Sequence, residues 1–141
     1  MSQENVKLVR DAITLLNRGD FRGAIADIDD DFEMDWSNSI GPLSGVYRGR
    51  KEVTEFWESF LEAWDELNWD MHEVIDLGGE EVLVVNNVRM RGRASGIEVQ
   101  AVGAQVWTIR NGKLVGAKVF QGKAEALEAV GLSEQDAHAE S

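Results

Sequence analysis

The sequence predicts an α+β domain in which helices cover one face of a mostly antiparallel, curved sheet. Apolar residues recur at helical spacing near the N-terminus and again, heavily, over residues 53–67. From residue 68 onward the pattern changes to strand-like alternation broken by glycine-containing turns. The signals run helix, helix, strand, helix, then four strands in a meander and a short closing helix.

Residues 2–17 form the first helix. Val6, Val9, Ile13 and Leu16 make its stripe, which Leu8, Ala12 and Leu15 widen, and Gly19 stops it. Asp20 caps a second, short helix over residues 21–28, with Phe21, Ala24, Ile25 and Ile28 inward. Asp29, Asp30 and Asp31 would set three negative charges at that helix's C-terminus, which the macrodipole disfavours, so a break is expected there. Residues 32–37 alternate strictly, as a half-buried strand does. Phe32, Met34 and Trp36 share one face; Glu33, Asp35 and Ser37 share the other. Residues 38–49 read as a loop holding Pro42 and Tyr47, placed to serve as rim or lid of a pocket.

The chain is organised around the helix expected over residues 53–67. Val53, Phe56, Trp57, Phe60, Leu61, Trp64 and Leu67 form one broad stripe that needs a wide concave surface to cover it. Trp57 and Trp64 either pack into the core or line a pocket between this helix and the sheet.

Strands follow over residues 68–77, 81–93, 97–110 and 113–121. Gly78-Gly79, Ser95-Gly96 and Asn111-Gly112 mark the turns, the last being the strongest hairpin signal in the chain. A two-residue turn there sets Arg110, Thr108, Val106 and Ala104 opposite Lys113, Val115, Ala117 and Val119, a small apolar face suited to lie under helices. The other face pairs Ile109 with Leu114, Trp107 with Gly116, Gln105 with Lys118 and Gly103 with Phe120. That mixture of aromatic and polar groups suits a ligand pocket or a dimer interface, and the reading favours the dimer. A short helix over residues 123–130 ends at Gly131. The expected division is a single domain over residues 1–131 and an acidic, frayed tail over 132–141.

A chain of 141 residues fits one domain with a real core. Its net charge of −12 argues against binding nucleic acid, which relies on Lys and Arg to neutralise phosphates. With no cysteine there is neither a disulfide nor a thiolate metal site. His72 and His138 make no ligand set, and no glycine-rich phosphate loop occurs, so no metal or cofactor is expected. No apolar run approaches the ~18 residues of a membrane span, and the polar N-terminus lacks a signal-peptide core, so a cytoplasmic protein with no membrane partner is expected.

Several motifs together resemble the nuclear transport factor 2-like superfamily, and within it the SnoaL-like group. They are the corner Asn17-Arg18-Gly19-Asp20 and the acidic strand entry Asp31-Phe32-Glu33-Met34-Asp35-Trp36. Gly45-Val46-Tyr47-Arg48-Gly49 before the long helix and its Phe56-Trp57 pair continue the likeness. Val106-Trp107-Thr108, Asn111-Gly112-Lys113-Leu114 and Ala124-Glu125-Ala126-Leu127 complete it. The resemblance implies a cone-shaped curved antiparallel sheet wrapped around a long helix, an N-terminal helical hairpin, an interior pocket and a homodimer through the outer sheet face.

It also implies candidate chemistry. Asp35 lies near the position of the general-base aspartate of ketosteroid isomerases, where burial would raise a carboxyl pKa and suit it to proton transfer. Alternation places Asp35 opposite Trp36, so both cannot face one pocket. The first helix has no tyrosine and residues 81–121 contain no aspartate, so the oxyanion donors of the isomerases and the paired aspartates of limonene epoxide hydrolases are absent. Arg89, Arg91 and Arg93 share a strand face that reads first as a charged outer surface balancing part of the acidic excess, with Arg91, mid-run, the candidate to hold a ligand oxygen. The leading expectation is a binder of a hydrophobic small molecule, with Trp36, Tyr47, Trp57, Phe60, Trp64 and Arg91 as ligand-binding residues. An isomerase, cyclase or epoxide hydrolase using Asp35 as general base is the alternative. An interaction domain with a filled interior is the third reading.

Overall fold

In the computed structural model, residues 2–26, 28–38 and 44–132 are described. Helix α1 (Ser2–Asn17) and the single turn α2 (Phe21–Ala24) form the leading hairpin. Gly19 takes φ 76° at the corner, a left-handed conformation that glycine adopts without strain. The Asp20 carboxylate accepts from the Gly23 N–H at 2.9 Å, the expected N-cap.

Helix α2 ends well before residue 28, and strand β1 (Ile28–Asp35) takes in all three aspartates that were expected to mark a break. Arg50 accounts for the difference. Its guanidinium donates to the carbonyls of Ile25 (3.2 Å), Ala26 (3.4 Å) and Ile28 (2.7 Å) and to Asp30 Oδ1 (3.0 Å). Carbonyls that a longer helix would satisfy internally are met by a side chain from another element.

Strand β2 (Val46–Arg48) pairs antiparallel with β1, Tyr47 opposite Met34, inside the stretch expected to be loop. Residues 39–43, including Pro42, lie outside the described residues, as do residues 133–141 of the expected tail. Helix α3 (Gly49–Ala63) starts and ends earlier than the 53–67 periodicity indicates. Arg93 sets its end. The Arg93 backbone N–H donates to Ala63 O at 3.0 Å, and its guanidinium donates to the carbonyls of Leu61 (2.9 Å), Glu62 (3.2 Å) and Trp64 (3.3 Å). Trp64 is already extended (φ −121°, ψ 139°) and opens β3 (Trp64–Gly78).

Strands β4 (Glu81–Gly92), β5 (Glu98–Arg110) and β6 (Lys113–Phe120) complete the sheet, and α4 (Lys123–Ala129) follows. The order is β2-β1-β6-β5-β4-β3, with only the β1–β6 pair parallel. The fold is α+β with a curved, unclosed sheet. Register irregularities recur along β3, where local twist increases. There Asn17 ties α1 to the strand: its Oδ1 accepts from Trp69 N–H at 2.7 Å and its Nδ2 donates to Trp69 O at 2.9 Å.

Two apolar cores lie on opposite faces of this sheet. The larger fills the concave side under α1 and α3, around Ile13, Phe56, Trp57, Phe60, Trp69 and Val84. The smaller lies on the outer side under α4, around Leu83, Val85, Ala104, Val106, Phe120 and Leu127.

The β5–β6 register departs from the two-residue extrapolation. Arg110↔Lys113 and Ile109↔Leu114 hold, but a shift beyond Ile109 makes Thr108 face Gly116, Trp107 face Ala117, Gln105 face Val119 and Ala104 face Phe120. The turn governs only its nearest pairs. At Gly116 the chain comes close to the parallel β1: a Cβ there would sit 3.4 Å from Glu33 O. The shift turns Lys118 and Phe120 to the outer side and sets Ala117 and Val119 beside Gln105 and Trp107.

Candidate functional site

The concave core is an aromatic cluster with space left inside it. Phe60 is its hub, with ring centroids 5.5 Å from Trp57, 5.7 Å from Phe56, 6.0 Å from Trp36 and 6.1 Å from Trp69. Trp57 meets Phe56, Phe60 and Trp69 edge-on, which matches ring edges to ring faces. Large rings at fixed angles do not tile space completely, and a cavity of about 190 Å³ remains between α1, α3 and the sheet.

Ile13 and Leu16 close the cavity from α1, and Trp57 and Phe60 from α3. Its floor comes from alternate residues of the strands: Asn86, Val88 and Met90 of β4, and Ala101, Gly103, Gln105 and Trp107 of β5. Met34 and Trp36 at the end of β1, and Ala117 and Val119 of β6, make the far wall. Small residues in the floor leave the room that the rings would otherwise take.

Polar groups are few. Asn86 is fully buried, and its amide pairs reciprocally with Gln105: Gln105 Nε2 donates to Asn86 Oδ1 at 3.1 Å, and Asn86 Nδ2 to Gln105 Oε1 at 3.5 Å. The indole Nε1 atoms of Trp36 and Trp107 are buried without a hydrogen-bond partner among the described residues. No acidic, basic or histidine side chain lines the cavity among the described residues.

The family description "SnoaL-like domain" matches residues 9–117, most of the chain and nearly the whole cavity. The chain belongs to the SnoaL-like family. No curated protein matches it in sequence. Solved structures share the fold. An NTF2-like protein from Burkholderia xenovorans is 24% identical, with a TM-score of 0.73 over 85% of this chain and 90% of its own. A protein assigned as a polyketide cyclase from Xanthomonas campestris pv. campestris is 18% identical, TM-score 0.72, over 92% and 98% of the two chains. TerC, co-crystallised with polyporic acid, is 18% identical, TM-score 0.74, over 89% and 96%.

In this SnoaL-like domain three of the residues singled out from sequence come together: Trp36, Trp57 and Phe60 all line the cavity. Tyr47 packs on Phe56 at 4.7 Å, one layer behind the wall. Trp64 is a correction. It opens β3 rather than riding on the long helix, and sits 6.5 Å from Phe60 at the cluster's edge, outside the wall. Arg91 is another. Its guanidinium pairs with Glu66 and, at 3.9 Å, with Asp65 at the start of β3, so its charge is spent there and not in the cavity.

Asp35 is the main correction. It faces the side opposite Met34 and Trp36, in a separate surface depression with Glu33, Glu81, Thr108 and Lys118. Desolvation pushes its pKa up, but bonds from Ser37 Oγ (2.6 Å) and Ser37 N–H (2.8 Å), with Lys118 at 4.0 Å, outweigh that and hold it below the ordinary carboxylate value. A carboxylate stabilised in its charged form, on the far side of the sheet, is not the raised-pKa base of the apolar cavity.

The face carrying Trp107, Gln105 and Gly103, favoured above as a dimer surface, instead floors the cavity. Trp69 and Asn86 are also wall residues that the sequence reading did not select. A signal for Asn86 exists: it continues the alternation Val82, Val84, Asn86, Val88, Met90, a lone amide on an otherwise apolar face.

Proposed function

We propose that this SnoaL-like domain binds a small hydrophobic molecule in the cavity between α1, α3 and the concave sheet. The aromatic-walled space of about 190 Å³ carries this reading. An apolar cavity of ~150 Å³ engineered in another protein binds benzene, so the space suits one substituted ring. It is smaller than the ~300 Å³ at the low end of drug-sized pockets, which limits the ligand to that scale. The relative co-crystallised with polyporic acid and the one assigned as a polyketide cyclase support an organic small molecule as occupant. With no carboxylate or histidine in the described wall, binding is favoured over proton-transfer catalysis.

A thermal-shift and tryptophan-fluorescence series with single-ring probes tests the proposal, alongside Gly103→Leu. A Cβ at Gly103 would meet only Asn86 Oδ1 at 3.7 Å and Phe120 O at 3.8 Å, so the added side chain has room to enter the cavity. A probe at a hundred times its Kd stabilises by about 2.7 kcal/mol, a melting shift of roughly 8 °C for a domain of this size. Gly103→Leu should abolish the shift while staying folded. No response to any ring probe would transfer the weight to a filled structural domain.

The proposal extends to the homodimer through the outer sheet face that the family resemblance implies, where Val102, 57% exposed, would become buried. A monomer throughout the micromolar range in analytical ultracentrifugation would refute it.

A further inference from the structure

We infer that the cavity selects a neutral, single-ring compound bearing a carbonyl-type oxygen, and that the indole N–H groups of Trp36 and Trp107 are the donors that read this oxygen. The inference rests on the binding proposal and adds the chemistry of the occupant.

Trp36 stands just past the end of β1 and Trp107 lies in β5, with β6 between those strands, so the two are separated by about 10 Å across the sheet and by two residues along it, Trp107 lying level with Met34. Both side chains come from the concave faces of their strands and line the same space. Each indole nitrogen is buried and unpartnered among the described residues. A buried N–H without an acceptor costs about 1–3 kcal/mol, and native structures rarely leave two of them around one cavity. The neighbouring amides do not relieve them, because Asn86 and Gln105 are committed to each other. Neither nitrogen opens onto the cavity as the rings stand, so reading an occupant's oxygen requires an indole to turn about χ2, a torsion with broad wells.

The same wall says what the occupant is not. With no cation lining it among the described residues, a carboxylate would lose its hydration for two neutral donors. With no anion lining it, an ammonium would fare no better. A hydrocarbon of equal shape would fill the space and leave both donors unsatisfied. A neutral ketone, aldehyde or ester on one ring satisfies the volume, the polarity and the donors together.

Acetophenone and α-methylstyrene differ by an oxygen for a CH2 group at one sp² carbon and hardly in shape, so their affinity ratio isolates the hydrogen bond. It is measured by fluorescence titration on wild type, Trp36→Phe and Trp107→Phe, with benzoate as the ionised control. Loss of ring volume acts alike on both matched probes, whereas loss of the N–H acts on the ketone alone. The ketone-to-hydrocarbon ratio should fall about three- to tenfold in at least one variant, and benzoate should bind far more weakly than acetophenone. On the wild-type protein, acetophenone should move an indole Nε1–H resonance downfield in a 1H–15N spectrum where α-methylstyrene does not, a readout that survives even if a variant misfolds. An unchanged ratio in both variants, unmoved indole signals with acetophenone bound, or benzoate binding as tightly as the ketone each overturns the inference while leaving the binding proposal standing. If neither matched probe binds the wild-type protein, the binding proposal itself falls and this inference with it.

Discussion

The amide pair of Asn86 and Gln105 offers a sharp energetic test, because its two members differ in burial. Both line the cavity, but Asn86 is fully buried whereas Gln105 is half-buried. Gln105→Met keeps side-chain length but strands the Asn86 amide, which exposes no surface to solvent. That change should cost about 2–3 kcal/mol, the upper part of the range for an unsatisfied buried group. Asn86→Leu strands the Gln105 amide beside a cavity wide enough for water, so about 1 kcal/mol is expected. The double variant removes both polar partners and replaces them with apolar groups of similar shape, which is close to neutral. The two single costs therefore should not add, and the cycle should return a coupling of about 2 kcal/mol or more. Urea unfolding followed by tryptophan fluorescence measures all four proteins, with shifts in midpoint at constant m-value. Additive single costs, or Asn86→Leu costing more than Gln105→Met, would refute the reasoning from satisfied and stranded amides.

Further outcomes follow from the packing and the charges. Phe60→Ala should destabilise by about 3–5 kcal/mol, since a buried ring contacting five other aromatics leaves a cavity that rigid neighbours cannot close; a loss under ~1 kcal/mol in the same urea assay would contradict the hub assignment. Asp35 has a folded-state pKa below its ordinary 3.8, so its charged form stabilises the fold above that pH, and the contribution disappears as pH falls through the lowered value. Asp35→Asn should therefore lower the melting temperature at pH 7 and lose that effect in strong acid, while ring-probe binding at pH 7 stays unchanged. Arg93→Ala removes three side-chain bonds to the carbonyls that end α3, and should cost about 1 kcal/mol given its exposure. Amide hydrogen exchange should then rise at the residue 61–65 junction and not at the start of α3.

Much of the fold is legible along the chain because its signals are local. The stripe Val53, Phe56, Trp57, Phe60 is a helix face whatever it packs against, and all four are buried. Asp20 caps its turn through a contact three residues away, and Asn111-Gly112 sets its hairpin through the two residues of the turn itself. The ends of elements are not legible in this way. Helix α2 stops under Arg50 and α3 stops under Arg93, guanidinium groups that arrive from more than twenty residues away. The candidate site divides similarly. Trp36, Trp57 and Phe60 follow from periodicity, but Asp35 and Arg91 drew attention by residue type, and their partners Ser37, Lys118, Glu66 and Asp65 take them elsewhere.

The amino-acid sequence by itself determined the main helices and strands and the aromatic load of the interior, because these depend on spacing between near neighbours; it did not show β2, the strand character of residues 64–67, or the faces of β3 and β6 beyond their register shifts. Only the tertiary structure decided which face of each strand became the cavity. Strand β4 is apolar on both sides, with Val82 and Val84 buried under α1 and α3 and Leu83 and Val85 buried under α4, so alternation cannot rank them. The register shift between β5 and β6 then settled the wall, turning Lys118 outward and Ala117 and Val119 inward. A one-residue slip exchanges every side chain between faces, and here it falls beside Gly116, where β1 lies close against β6, a contact between segments distant in sequence.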